Sequence, residues 1–149
     1  LMSRIASLLI LFSLVLAAPA AHAQQSQDFG DYVVHYNAFN AHLITPEIAR
    51  AYGIQRSSSR AVLNITVLKK VMDTPGTPVR ADVAAKATNL TGQRREIALR
   101  EVEETGGAIY YLGEFPVHNM ETWRFEVAVA IEGETDPLQV RFTQQFYTE

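Results

Sequence analysis

The chain contains no cysteine. That excludes disulfides, thiolate nucleophiles and cysteine-based metal sites, and leaves the fold to be held by its core alone. Basic runs are equally scarce. Lys69-Lys70 and Arg94-Arg95 are the longest, so nucleic-acid binding has no electrostatic footprint. No G-x-S-x-G elbow and no Ser-x-x-Lys pair occurs, and a catalytic triad would have to be improvised from the serines at 57–59, a solvated linker. The carboxylates Glu101, Glu103 and Glu104 sit beside Gly106-Gly107, where they read as an edge-protecting charge cluster and not as an acid/base pair. The expectation is a protein that is not an enzyme and needs no cofactor.

Long hydrophobic runs are absent except at the start. Of the 149 residues 48% are apolar, and 17 of these fall within the first 23 positions. Met2-Ser3-Arg4 forms a positive n-region, an apolar run of 14 residues follows, and Ala21-His22-Ala23 supplies the small-x-small pattern of a cleavage site. The run falls short of the ~20 residues a spanning helix requires, so residues 1–23 read as a secretory signal peptide and the mature chain as starting at Gln24. Losing Arg4 leaves 12 basic against 16 acidic side chains, a formal charge of −4. Export without cysteine suits a bacterial periplasm better than a eukaryotic extracellular space. No membrane insertion is expected once the signal is removed. Two glycosylation sequons, Asn64-Ile65-Thr66 and Asn89-Leu90-Thr91, carry no weight in that compartment.

What remains is long enough for one domain, at 31–149, behind a polar leader at 24–30 that is expected to be disordered. Alternation with period two dominates it. At 121–132, Trp123, Phe125, Val127, Val129 and Ile131 fall on one face, with Thr122, Arg124 and Glu126 on the other. The same pattern recurs at 78–89 and 138–147, and less cleanly at 31–39, 60–71, 94–102 and 108–115, with Gly, Pro, Asn and Asp turn signals between. Seven antiparallel strands so spaced predict an all-β, immunoglobulin-like sandwich, in architecture only, since the Cys and Trp spacing of antibody domains is missing. One short helix interrupts the first connection: Thr45 as N-cap, Pro46 at the first position, Glu47 at the positive dipole end and Gly53 as left-handed stop. Ile48 and Tyr52, at i and i+4, are expected to lie on the sandwich.

Two places carry candidate binding chemistry. His118-Asn119-Met120 offers imidazole and thioether to a soft ion such as Cu(I), the only other mature methionine being Met72. Two ligands leave such an ion open, so the favoured reading is a flexible loop with Met120 tucked beneath the sheet edge. The stretch 35–56 concentrates Tyr, Phe, His, Asn and Arg, types that anchor protein interfaces. His35, Asn37, Asn40, Arg50 and Arg56 are the candidate partner-binding residues there.

The runs Val34-His35-Tyr36-Asn37-Ala38-Phe39-Asn40, Thr45-Pro46-Glu47-Ile48-Ala49-Arg50-Ala51-Tyr52-Gly53-Ile54, Asn89-Leu90-Thr91-Gly92-Gln93 and Gln144-Gln145-Phe146-Tyr147 resemble a family of small exported proteobacterial proteins classed as a domain of unknown function. The resemblance implies a periplasmic location and supplies no catalytic or ligand residues. The reading is therefore a periplasmic domain that binds a macromolecular partner, an unidentified periplasmic protein, through a sheet edge or the helical connection. Its alternative is a binder of a small ligand or soft metal.

Overall fold

Alternating side chains give a strand one face to bury, and here two sheets bury theirs against each other. The computed structural model describes residues 25–149. Its strands are β1 (Ser26–Asp28), β2 (Tyr32–Asn40), β3 (Arg60–Lys69), β4 (Thr77–Pro78), β5 (Asp82–Asn89), β6 (Arg94–Ile97), β7 (Arg100–Glu103), β8 (Ile109–Pro116), β9 (Glu121–Ala130) and β10 (Leu138–Phe146). A 3-10 turn (Ala41–Leu43) and one α-helix, α1 (Pro46–Tyr52), join β2 to β3. Six strands form one antiparallel sheet in the order β1-β2-β3-β8-β7, with β4 also on β3. The other four form a second antiparallel sheet, β10-β9-β5-β6.

One core lies between them in a sandwich-like arrangement. Val34, Leu63, Ile65, Val67 and Phe115 from the first sheet meet Trp123, Phe125, Val127, Val129, Val140 and Phe146 from the second. Phe115 stands edge-on to Phe125 and Phe146 at centroid distances of 5.6 and 5.7 Å, and Phe125 stacks on Phe142 at 4.7 Å, separations at which aromatic pairs attract beyond their buried area. Among the described residues no helix is long and apolar enough to cross a membrane. The expected signal peptide lies outside the described residues.

The sequence pattern predicts seven strands where ten form, for two physical reasons. The apolar alternation runs straight through points where the chain passes from one sheet to the other, because the inward face stays inward on both sides of the crossing. The strand expected at 78–89 is thus β4 in the first sheet and β5 in the second, with Val79 N–H still donating to Val67 O and Ala81 N–H to the Tyr111 hydroxyl. The strand expected at 94–102 is β6 and then β7, and it crosses so close to β8 that a Cβ on Gly113 would lie 2.6 Å from Ile97 Cγ2 and 2.8 Å from Ala98 O.

The tenth strand is β1, which corrects the expectation of a disordered leader at 24–30. Its side chains are polar and exposed, so its order comes from the backbone and its flanks. It pairs with residues 33–35 of β2, Tyr36 N–H donates to Gln25 O at 2.9 Å, and Phe29 packs against the core. Asp28 accepts from Gly30 N–H and pairs with Lys70.

Candidate functional site

Outward-facing residues of β2, β3 and β8 do not follow the usual polar rule. Phe39, Val62, Tyr110 and Leu112 point away from the main core, together with Val102 of β7, and gather a second apolar cluster with Ala41, Ile44, Ala49, Tyr52 and Ile54 of the β2–β3 connection. The helical connection is therefore a roof over one half of the six-stranded sheet's outer face.

The roof is built as the sequence predicts and is fastened in ways it does not reveal. Thr45 caps α1, its hydroxyl accepting from Ile48 N–H, and Gly53 ends the helix at φ 67°. Arg56 Nε donates to Ile44 O at 2.7 Å and its Nη2 to His42 O at 3.2 Å. Asn40 Nδ2 donates to Ser58 O and Tyr147 O. From the far side of the sheet, Arg100 Nη2 reaches Tyr52 O at 2.7 Å, a cation at the negative end of the helix, and the Tyr52 hydroxyl donates to Glu104.

The helix sits differently from expectation. Ala49 is its buried residue, Tyr52 is half-buried, and Ile48 is 47% exposed. A small side chain lets a two-turn helix approach the sheet closely, and Ile48, one residue earlier, is rotated about 100° to the flank. There it borders a groove of about 630 Å³ between roof and sheet, lined by Phe39, Leu43, Ile44, Ile48, Tyr52 and Leu112 among others. Leu43 at its rim is 66% exposed.

The same outer face continues uncovered beyond the roof. A trough of about 1020 Å³ runs over His35, Asn37, Asn64, Thr66 and Leu68 to Gln25 and Gln144. Asn37 pairs with Asn64 across β2 and β3, and both residues border the groove as well as the trough. The apolar groove thus opens onto a polar floor. Gln25 Oε1 and Asn64 Oδ1 are buried and accept no hydrogen bond among the described residues. An unpaired buried polar atom is costly, so this polar end of the face is less fully satisfied than the apolar cluster under the roof.

The candidate residues separate accordingly. His35 and Asn37 line the trough, and Asn37 also the groove. Asn40 and Arg56, read from sequence as interface anchors, spend their donors on backbone carbonyls and brace the roof. Arg50 is exposed and lines neither depression. His118 is exposed, and Met120, expected beneath the sheet edge, is 63% exposed at φ 57°. The turn is closed by Glu121 N–H donating to His118 O, and the positive φ of Met120 sends its side chain into solvent. Met72 lies in the turn after β3, at the opposite end of the sheets, so it cannot complete a ligand set with this pair. Among the described residues no group of three or more His, Cys, Asp or Glu is placed to hold a metal ion. Asn64, Gln25, Arg100 and Glu104 were missed as contributors. The outward position of Asn64 follows from its strand's alternation, but the register that sets it beside Asn37 does not.

The model of the family described as "Domain of unknown function (DUF4426)" matches residues 26–149. The chain belongs to the DUF4426 family. A crystal structure of a DUF4426 family protein from Pseudomonas aeruginosa PAO1 is similar to it, with 37% identity and a TM-score of 0.71, over 83% of this chain and 94% of that one. No match is found among curated proteins. The resemblance read from the four sequence runs thus extends to family membership, which covers β1 as well as the nine strands after it.

Proposed function

We propose that this DUF4426 protein is an exported, non-enzymatic binding domain of the periplasm that captures another protein on the outer face of its six-stranded sheet. The observation that carries the reading is the apolar groove under the helical roof, opening at Asn37 and Asn64 onto a polar trough. A partner that fits offers apolar side chains from a short extended or helical segment to the groove and polar groups to the adjoining trough. Rigid aromatic and apolar walls with a few polar groups are typical of such contacts. The order of strands also supports the immunoglobulin-like reading. Counted from β2 with the two-residue β4 left out, one sheet runs first-second-sixth-fifth and the other last, last but one, third, fourth, which is how immunoglobulin-type sandwiches arrange theirs. That architecture is a frequent carrier of interaction surfaces, a likeness of fold and not of site.

Export is tested by the intact mass of protein isolated from the periplasm, where Gln24 is the expected first residue; full-length protein in the membrane fraction would overturn it. Binding is tested by cross-linked capture from periplasmic extract with wild-type protein and Ile48→Asp. Ile48 is exposed enough for the charge to leave stability within about 1 kcal/mol. The same cross-linked protein should be lost from Ile48→Asp while the fold, followed by denaturant melts, is kept. Equal capture by both would remove the groove from the interface.

A small apolar ligand is the second reading, favoured by the groove's volume of about 630 Å³, within the range of ligand pockets. Saturable binding of an apolar fluorophore, abolished by Ile48→Asp and accompanied by no protein capture, would select it.

A further inference from the structure

The four-stranded sheet has an outer face of its own, and its register sorts charge into rows. Arg94, Thr88, Arg124 and Thr143 are cross-strand partners in one row. Glu96, Lys86, Glu126 and Arg141 form the next. The second row is balanced, and Lys86 and Arg141 both pair with Glu126 at 3.3 and 3.8 Å. The first holds two arginines and no acid, and among the described residues neither arginine side chain makes an ion pair or a hydrogen bond. An uncompensated cationic row stands out on a chain whose formal charge is −3.

That row lies toward the end of the sheet where large apolar side chains are left in solvent. Leu90, in the β5–β6 turn, is 73% exposed, Met120 before β9 63%, and Tyr147 after β10 56%. Leu90 follows Thr88 by two residues, Met120 precedes Arg124 by four and Tyr147 follows Thr143 by four, placing them about 7–13 Å along the strands from the arginines. The acids nearest the arginines by sequence, Glu96 and Glu126, lie two residues away in the neighbouring row, where Lys86 and Arg141 balance them. At the tip, Glu121 is engaged by the Trp123 indole at 2.7 Å and by His118 N–H and Asn89 Nδ2, and Glu149 is exposed two residues beyond Tyr147. The turn bearing His118 and Met120 and the sequon Asn89-Leu90-Thr91, which the groove leaves without a role, both belong to this tip.

Three exposed apolar tips beside unpaired arginines are the chemistry of a peripheral contact with an anionic bilayer, the apolar groups entering the headgroup boundary and the guanidiniums meeting phosphates. We infer that this end of the four-stranded sheet docks on an anionic lipid surface, independently of the groove on the opposite sheet. The charge complementarity of the arginine row selects an anionic surface, and the apolar tips select a bilayer over a soluble polyanion.

The test is co-sedimentation of the periplasm-isolated protein with vesicles of phosphatidylglycerol mixed equally with phosphatidylcholine, and with phosphatidylcholine alone. All variants carry the same N-terminus, so differences between them report the tip. Binding to the anionic vesicles should weaken with salt. Arg94→Ala with Arg124→Ala should lower it about thirtyfold, each basic group near such a surface being worth roughly fivefold. Leu90→Ser with Met120→Ser should lower it at least about fivefold, and both pairs should melt like wild type. No partition into anionic vesicles, equal partition into both kinds, or partition unchanged in the variants would each overturn the inference. So would retention on a soluble polyanion without vesicle binding, which would assign the row to an acidic macromolecule instead.

Discussion

The two sheets turn matching faces inward and opposite chemistry outward. Inward, both present unbroken apolar rows to one core. Outward, the six-stranded sheet presents Phe39, Val62, Tyr110 and Leu112 beneath a helical roof, whereas the four-stranded sheet presents Thr, Arg, Lys and Glu to solvent with no covering element. The inner faces are what make these ten strands fold. The outer faces are where the molecule can differ from any other fold of its class, because neither is dictated by the shared core. A roof that buries one half of a sheet face and stops at Asn37 and Asn64 leaves a boundary between apolar and polar surface, and such boundaries are where partners gain both burial and register.

The contrast breaks first if the roofed face is not a true second core. Leu112→Ala should cost about 2–5 kcal/mol, as for other buried leucines, while Arg124→Ala on the bare face should stay within about 0.5 kcal/mol; urea melts of the two variants decide it. Gly113→Ala tests the crossing of β6 into β7. A methyl there meets Ile97 and the Ala98 carbonyl below van der Waals distance, so a loss of about 1–3 kcal/mol is expected from overpacking, again by urea melt. Arg56→Ala should cost about 1 kcal/mol through its two carbonyl bonds and raise hydrogen exchange across α1. Arg50→Ala should leave stability within about 0.5 kcal/mol, and, since Arg50 lines neither depression, it should leave partner capture intact as well.

The smallest effect concerns β1. The Asp28 carboxyl is held below the usual carboxylate range, chiefly by its hydrogen bond with Lys70 and then by Gly30 N–H. A lowered folded-state pKa means that its support of β1 is present above the ordinary carboxylate pKa, about 4, and is lost as pH falls through the folded value. NMR titration of the Gly30 amide, which donates to Asp28 Oδ1 at 2.8 Å, should give a midpoint below that of an ordinary aspartate, and Lys70→Ala should move it up. An ordinary midpoint in the wild type would detach β1 from this anchor.

Which parts of this were legible in the chain follows from the range of each signal. Alternation in β5, β9 and β10 and the caps of α1 are local, and they gave strand faces and helix ends to within a residue or two. Sheet switching at 79–81 and 98–99 is silent, because an inward residue remains inward in either sheet. The order of β1 came from backbone bonds, from Lys70 far along the chain, and from Phe29, whose single apolar side chain in an otherwise polar leader does not announce a strand. Asn40 and Arg56 carry the right chemistry for an interface and serve as braces, since their acceptors, Tyr147 O and Ile44 O, are set by tertiary contact. The arginine row is the extreme case: Arg94 and Arg124 are 30 positions apart in sequence and two strands apart in the sheet, so no run of basic residues announces it.

The roofed groove as the partner-binding face is tested most directly by placing one photoreactive side chain at Ile48, and in a second protein at Gln139 on the outer face of β10, and cross-linking each within the periplasm. Position 48 should yield a discrete cross-linked product whose partner peptide is apolar, and position 139 should not yield that product. The same product from both positions, or from 139 alone, would contradict the account.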